Sequence, residues 1–67
     1  MGVSYKELWK LLIDKEMNKT QMAENVGIST STLSKLTKDE YVSLDVLVRI
    51  CLYFECQISD ICEVIHN

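Results

Sequence analysis

The residues of this 67-residue chain with the greatest chemical reach are three cysteines, Cys51, Cys56 and Cys62, and one histidine, His66. A structural zinc site needs thiolates in closely spaced pairs, and no Cys-x-x-Cys occurs. The odd count also argues against a disulfide framework. Catalysis has little to work with. There is no His near a Ser or Cys nucleophile, no glycine-rich phosphate loop, and no His/Asp/Glu cluster at metal spacing. Cys51 and Cys62 fall on inward helical positions, so buried, reduced thiols are expected, with Cys56 in a loop as the one candidate for a reactive sensor thiol. No enzymatic activity, cofactor, metal or small-molecule substrate is expected.

A second group of residues suggests binding chemistry instead. Short hydroxyl side chains and lysines crowd the stretch from Asn18 to Lys38, with Thr30, Ser31, Thr32, Ser34 and Lys35 in one run. Such a face can donate and accept hydrogen bonds in a groove while its cations meet phosphates. The net charge of −3 looks unfavourable for that task. Its distribution changes the picture. Residues 1–38 carry six lysines against Glu7, Asp14, Glu16 and Glu24, a balance of +2. Residues 39–67 carry Arg49 against Asp39, Glu40, Asp45, Glu55, Asp60 and Glu63, a balance of −5. A basic front and an acidic back still offer one face to an anionic partner.

The elements that must hold these residues are helical. The chain has no proline, two glycines and a 48% apolar content, which suits helices joined by tight turns in one domain over 1–67. No apolar run is long enough for a membrane, and no secretory signal opens the chain, so a cytoplasmic protein without membrane contact is expected. Ser4 and Glu7 have capping-box spacing, which predicts a first helix from Ser4 to about Lys15. Asn18 and Gln21 predict the start of a second, running to Val26 and stopped by Gly27. Ser29 should cap a third through Leu36, followed by a polar loop over 37–42. Ser43 should cap a fourth with Leu44, Leu47, Ile50, Cys51 and Phe54 inward. Apolar residues at Ile58, Ile61, Cys62 and Ile65 predict a short fifth helix.

The second and third helices form the informative unit, KTQMAENVGISTSTLSKL. Ala23 allows close crossing, Gly27 makes the turn, Ile28 plugs the corner, and Leu33 and Leu36 pin the third helix to the second. Any one of these residues occurs in many helical bundles. Their joint spacing is that of a helix-turn-helix.

Over nearly its whole length the sequence resembles the Cro/C1-type helix-turn-helix family. MNKTQMAENVGISTSTLSKL, VSLDVLVRICLYF and QISDICEVI carry the resemblance. It implies an all-α, five-helix, lambda-repressor-like fold whose third helix enters the major groove of a double-stranded DNA operator. It further implies that Lys19, with Asn18 beside it, meets a phosphate, that Thr30, Ser31 and Lys35 face base edges with Ser34 on the same DNA-facing side, and that Thr32 and Lys38 touch the backbone from the groove edge. Glu55 stands where the family usually has Gly or Asn, and so must adopt an awkward turn. Trp9, Leu12, Val48, Leu52 and Tyr53 exceed the needs of one core. With the family's habit of pairing near its last helix, this points to a homodimer face centred on Leu52, Ile61 and Ile65. The rival reading is a protein-interaction module of the same fold, antitoxin-like or anti-repressor, that does not bind DNA.

Overall fold

The computed structural model describes residues 2–66. Its helices are α1 (Lys6–Asp14), α2 (Lys19–Val26), α3 (Thr30–Thr37) and α4 (Leu44–Phe54). A 3-10 turn, Ile58–Asp60, follows α4. Two short strands, β1 (Gly2–Ser4) and β2 (Glu63–Ile65), join the ends of the chain in an antiparallel pair, with Val3 opposite Val64. The helical helix-turn-helix fold is as expected, but among the described residues it has four α-helices and not five.

The missing fifth helix has a local cause. Asp60 accepts the backbone N–H of Gln57 at 2.9 Å, and Ile61 bonds back three residues to Ile58, which closes a tight turn. Ile58, Ile61 and Cys62 still reach the core from that turn, so a helical spacing over so few residues did not require a helix. The β-branched pair Val64 and Ile65 then continues as strand, which such residues favour.

The strand pair also corrects the start of α1. Ser4 lies in β1 opposite Glu63, and α1 opens at Tyr5 with no side-chain cap. The Ser4–Glu7 capping box does not form. Ser4 Oγ instead accepts a long hydrogen bond from the Lys6 N–H at 3.4 Å. Tyr5 anchors this corner. Its N–H donates to Asp39 Oδ1 at 3.1 Å and its hydroxyl donates to the Glu40 carbonyl at 2.7 Å.

The core is assembled from every segment: Tyr5, Leu8 and Leu12, then Met22 and Ala23, then Leu36, Ile50, Cys51 and Ile61. Leu12 therefore belongs to the interior and leaves the surplus surface set. Leu44 moves the other way. It is 67% exposed, because it shares a face of α4 with Val48 and Leu52 at four-residue intervals. The inward stripe runs through Val46, Leu47, Ile50, Cys51 and Phe54. Glu55 ends α4 in the left-handed conformation, φ 55° and ψ 51°, as its place in the sequence demanded.

Candidate nucleic-acid interface

The α2–turn–α3 unit is built from three local devices. Asn18 accepts the Gln21 N–H at 2.7 Å while Gln21 Oε1 accepts the Asn18 N–H at 3.0 Å, a reciprocal cap that fixes where α2 begins. Gly27 ends α2 at φ 87°, a left-handed conformation that strains any residue with a Cβ. Its N–H and that of Ile28 both donate to the Ala23 carbonyl, at 2.9 and 2.8 Å, so the chain reverses tightly over a small buried residue. Ser29 then caps α3 by accepting the Thr32 N–H at 3.2 Å. Ile28 and Leu33 are half-buried against the core and Leu36 is fully buried.

This leaves one face of α3 outward. Thr30, Ser31 and Lys35 are exposed on it, and Ser34 and Thr32 are half-buried at its edges. Lys38, the residue after the helix, is exposed. Ser29, Ser31 and Thr32 form a small hydroxyl network: Ser29 Oγ lies 3.1 Å from Ser31 Oγ and donates to Thr32 Oγ1 at 3.0 Å. Part of the hydrogen-bonding capacity of Ser31 and Thr32 is thus spent within the first turn. Thr30 is left as the freer hydroxyl and Lys35 as the long donor. Exposed Asn18 and Lys19 stand at the start of α2.

The ion pairs sort the lysines. Lys6 pairs with Glu63 at 3.6 Å and Lys10 with Glu7 at 3.5 Å. Among the described residues, Lys15, Lys19, Lys35 and Lys38 have no carboxylate within 4 Å. Three of these four cations are on or beside α2 and α3. The one arginine does not join them. Arg49 bonds Asp45 at 3.0 Å and reaches across to the Gly27 carbonyl at 3.4 Å, which ties α4 to the turn.

Around this unit, two contacts escaped the reading of the sequence. One is this Arg49–Gly27 bond between residues 22 apart, which no local pattern announces. The other places the Lys19 ammonium 4.3 Å from the centroid of the Trp9 ring. Its only trace in the sequence was Trp9 as an apolar residue beyond what the core required.

The thiols are free, with Cys51 buried and Cys56 and Cys62 half-buried. Burial, reinforced by the neighbouring Cys56, pushes the Cys51 thiol up to about 11. Burial also raises Cys62. Cys51 and Cys56 line a shallow groove with Val48, Leu52, Glu55, Gln57 and Ile58. Of the three suggested dimer residues, Leu52 is 73% exposed and Ile65 is 37% exposed. Ile61 is fully buried in the core, so it supports the fold from within and offers no surface to a partner. No described helix is long and apolar enough to cross a membrane.

The likenesses to known proteins agree with this geometry. The model of the Cro/C1-type HTH DNA-binding domain matches residues 7–67. The crystal structure of the transcriptional regulator VanUg (Form II) is similar at a TM-score of 0.94 and 52% sequence identity, covering 98% of this chain and 88% of that one. No curated protein matches. The chain belongs to the Cro/C1-type helix-turn-helix DNA-binding family and is a DNA-binding transcriptional regulator.

Proposed function

We propose that the protein is a non-enzymatic, cytoplasmic repressor that binds a specific operator as a homodimer, each copy seating α3 in the major groove. The observation that carries this reading is the outward face of α3. Thr30, Ser31, Ser34 and Lys35 lie along it, and lysines without carboxylate partners among the described residues stand at both ends of the unit. Lys35 is long enough to donate to guanine O6 and N7, and the Thr30 methyl suits a thymine methyl. Lys19, Asn18, Thr32 and Lys38 hold phosphates on either side and set the register. The short side chains of the first turn make readout modest per base pair, so a second copy on a second half-site supplies the rest.

The exposed apolar residues of α4 and β2, Leu52 and Ile65 with Val48 and Leu44, support pairing of copies. Two-fold pairing gives half-sites about one helical turn apart, on the order of 34 Å. Selection of bound sites from random-sequence duplex DNA tests the proposal. A palindromic motif with that spacing is the expected result. Recovery of no enriched sequence would favour the interaction-module reading, to which the net charge of −3 lends its weight.

A further inference from the structure

The exposed Lys19 side chain does not stand alone. Its ammonium lies over the Trp9 ring, 4.3 Å from the centroid. The ring belongs to α1 and the lysine opens α2, so the contact bridges two elements. Trp9 is half-buried and forms one wall of a shallow apolar hollow with Leu12, Ile13 and Met17, with Asn18 and Lys19 at its rim. A ring held this way has little freedom, so it offers the cation a fixed seat. The ring satisfies one side of the ammonium electrostatically. The ammonium hydrogens that the ring does not take are free for a second partner, and Lys19 is the first residue of α2, where the Asn18 side chain caps only the Gln21 N–H.

We propose that Trp9 is a positioning residue for DNA binding, which holds Lys19 ready for a backbone phosphate before the duplex arrives. This rests on the reading that Lys19 meets a phosphate. A free lysine loses rotamer freedom when it docks, and a lysine already seated on an aromatic face loses less. Trp9 thereby contributes to affinity through Lys19 without reading any base, and its effect is equal for all sequences that seat α3. No carboxylate competes for Lys19 within 4 Å among the described residues, which leaves the ring as its neighbour of record until DNA binds.

A double-mutant cycle separates this from a structural role. Wild type, Trp9→Leu, Lys19→Met and the double variant are titrated with a duplex of about 30 base pairs recovered by selection, long enough for two half-sites. Trp9→Leu should weaken binding roughly twofold to fivefold in the presence of Lys19 and leave it unchanged in the Lys19→Met background. Trp9→Phe, which keeps a weaker ring face, should fall between wild type and Trp9→Leu, and takes over the cycle if Trp9→Leu does not fold. Because Trp9 is the one tryptophan, its emission reports the contact directly. Lys19→Met should change the emission of the DNA-free protein. Equal losses from Trp9→Leu in both backgrounds, or an unchanged emission, would overturn the positioning role while leaving DNA binding intact. Failure of the wild type to bind any duplex would overturn the phosphate reading and this inference together.

Discussion

The Tyr5 hydroxyl donates to the Glu40 carbonyl at 2.7 Å, a bond that joins the residue before α1 to the loop leaving α3. Tyr5 is 1% exposed, and its N–H is taken by Asp39 in the same loop. The far end of α3 is thereby fastened to the core through one aromatic side chain, as the near end is fastened through Gly27 and Ala23.

Tyr5→Phe keeps the ring and removes only the donor. The Glu40 carbonyl can turn partly to water, so the loss should be about 1 kcal/mol, roughly 4–8 °C in thermal midpoint for a domain this small. Scanning calorimetry measures it. An unchanged midpoint would mean that the ring alone does the anchoring.

Glu55 occupies a left-handed conformation that costs a residue with a Cβ about 1–2 kcal/mol, partly offset by the lower unfolded-state entropy of any non-glycine. Glu55→Gly should therefore stabilise the protein by up to about 1 kcal/mol, and Glu55→Asn by less. A rise in urea midpoint at constant m checks this. A fall would show that the Glu55 side chain makes a contribution larger than its backbone strain.

The thiols should differ in reactivity. A buried Cys51 with its thiol raised to about 11 holds almost no thiolate near neutrality, so alkylation of the native protein should modify Cys56 well before Cys51. The same shift has a stability consequence. The folded state holds the Cys51 proton more tightly than the unfolded state, so its contribution is complete below pH 9 and is lost between pH 9 and about 11. Raised values at Tyr5 and Cys62, both through burial, act in the same direction. Chemical denaturation as a function of pH should show stability falling across that window, and a Cys51→Ala variant should show a shallower fall.

The parts of this fold that were legible in the sequence are those set by local rules. Asn18 with Gln21, Gly27, Ser29 and Ser43 each fix a helix boundary through bonds spanning three or four residues, and each was readable from residue type and spacing. Ala23 and Leu36 follow from the crossing of two short helices. What escaped depends on partners far away. Ser4 had capping chemistry, but its backbone was claimed by Glu63 at the other end of the chain. Ile61 was expected at a dimer face because the family pairs near its last helix, but it follows the 3-10 turn with its side chain fully buried. Tyr5 and Arg49 act through partners 35 and 22 residues away, and Trp9 through a lysine on the next helix that no periodicity pairs with it. Of the outward face of α3, the exposed residues were legible in the sequence. The partial commitment of Ser31 and Thr32 to Ser29 was not, since it depends on hydroxyl orientations in the first turn.

The central claim is that the face carrying Lys19 and Lys35 meets duplex DNA, and the salt dependence of binding tests it most directly. Affinity for a selected duplex is measured across salt concentrations for wild type, Lys35→Ala and Lys19→Ala. Wild-type affinity should fall steeply with salt, and Lys19→Ala should lower the slope of log affinity against log salt by about one, the signature of a lost phosphate contact. Lys35→Ala should weaken the selected duplex more than a scrambled one. Unchanged slopes and affinities in both variants would contradict the account and move the DNA-contacting surface elsewhere on the molecule.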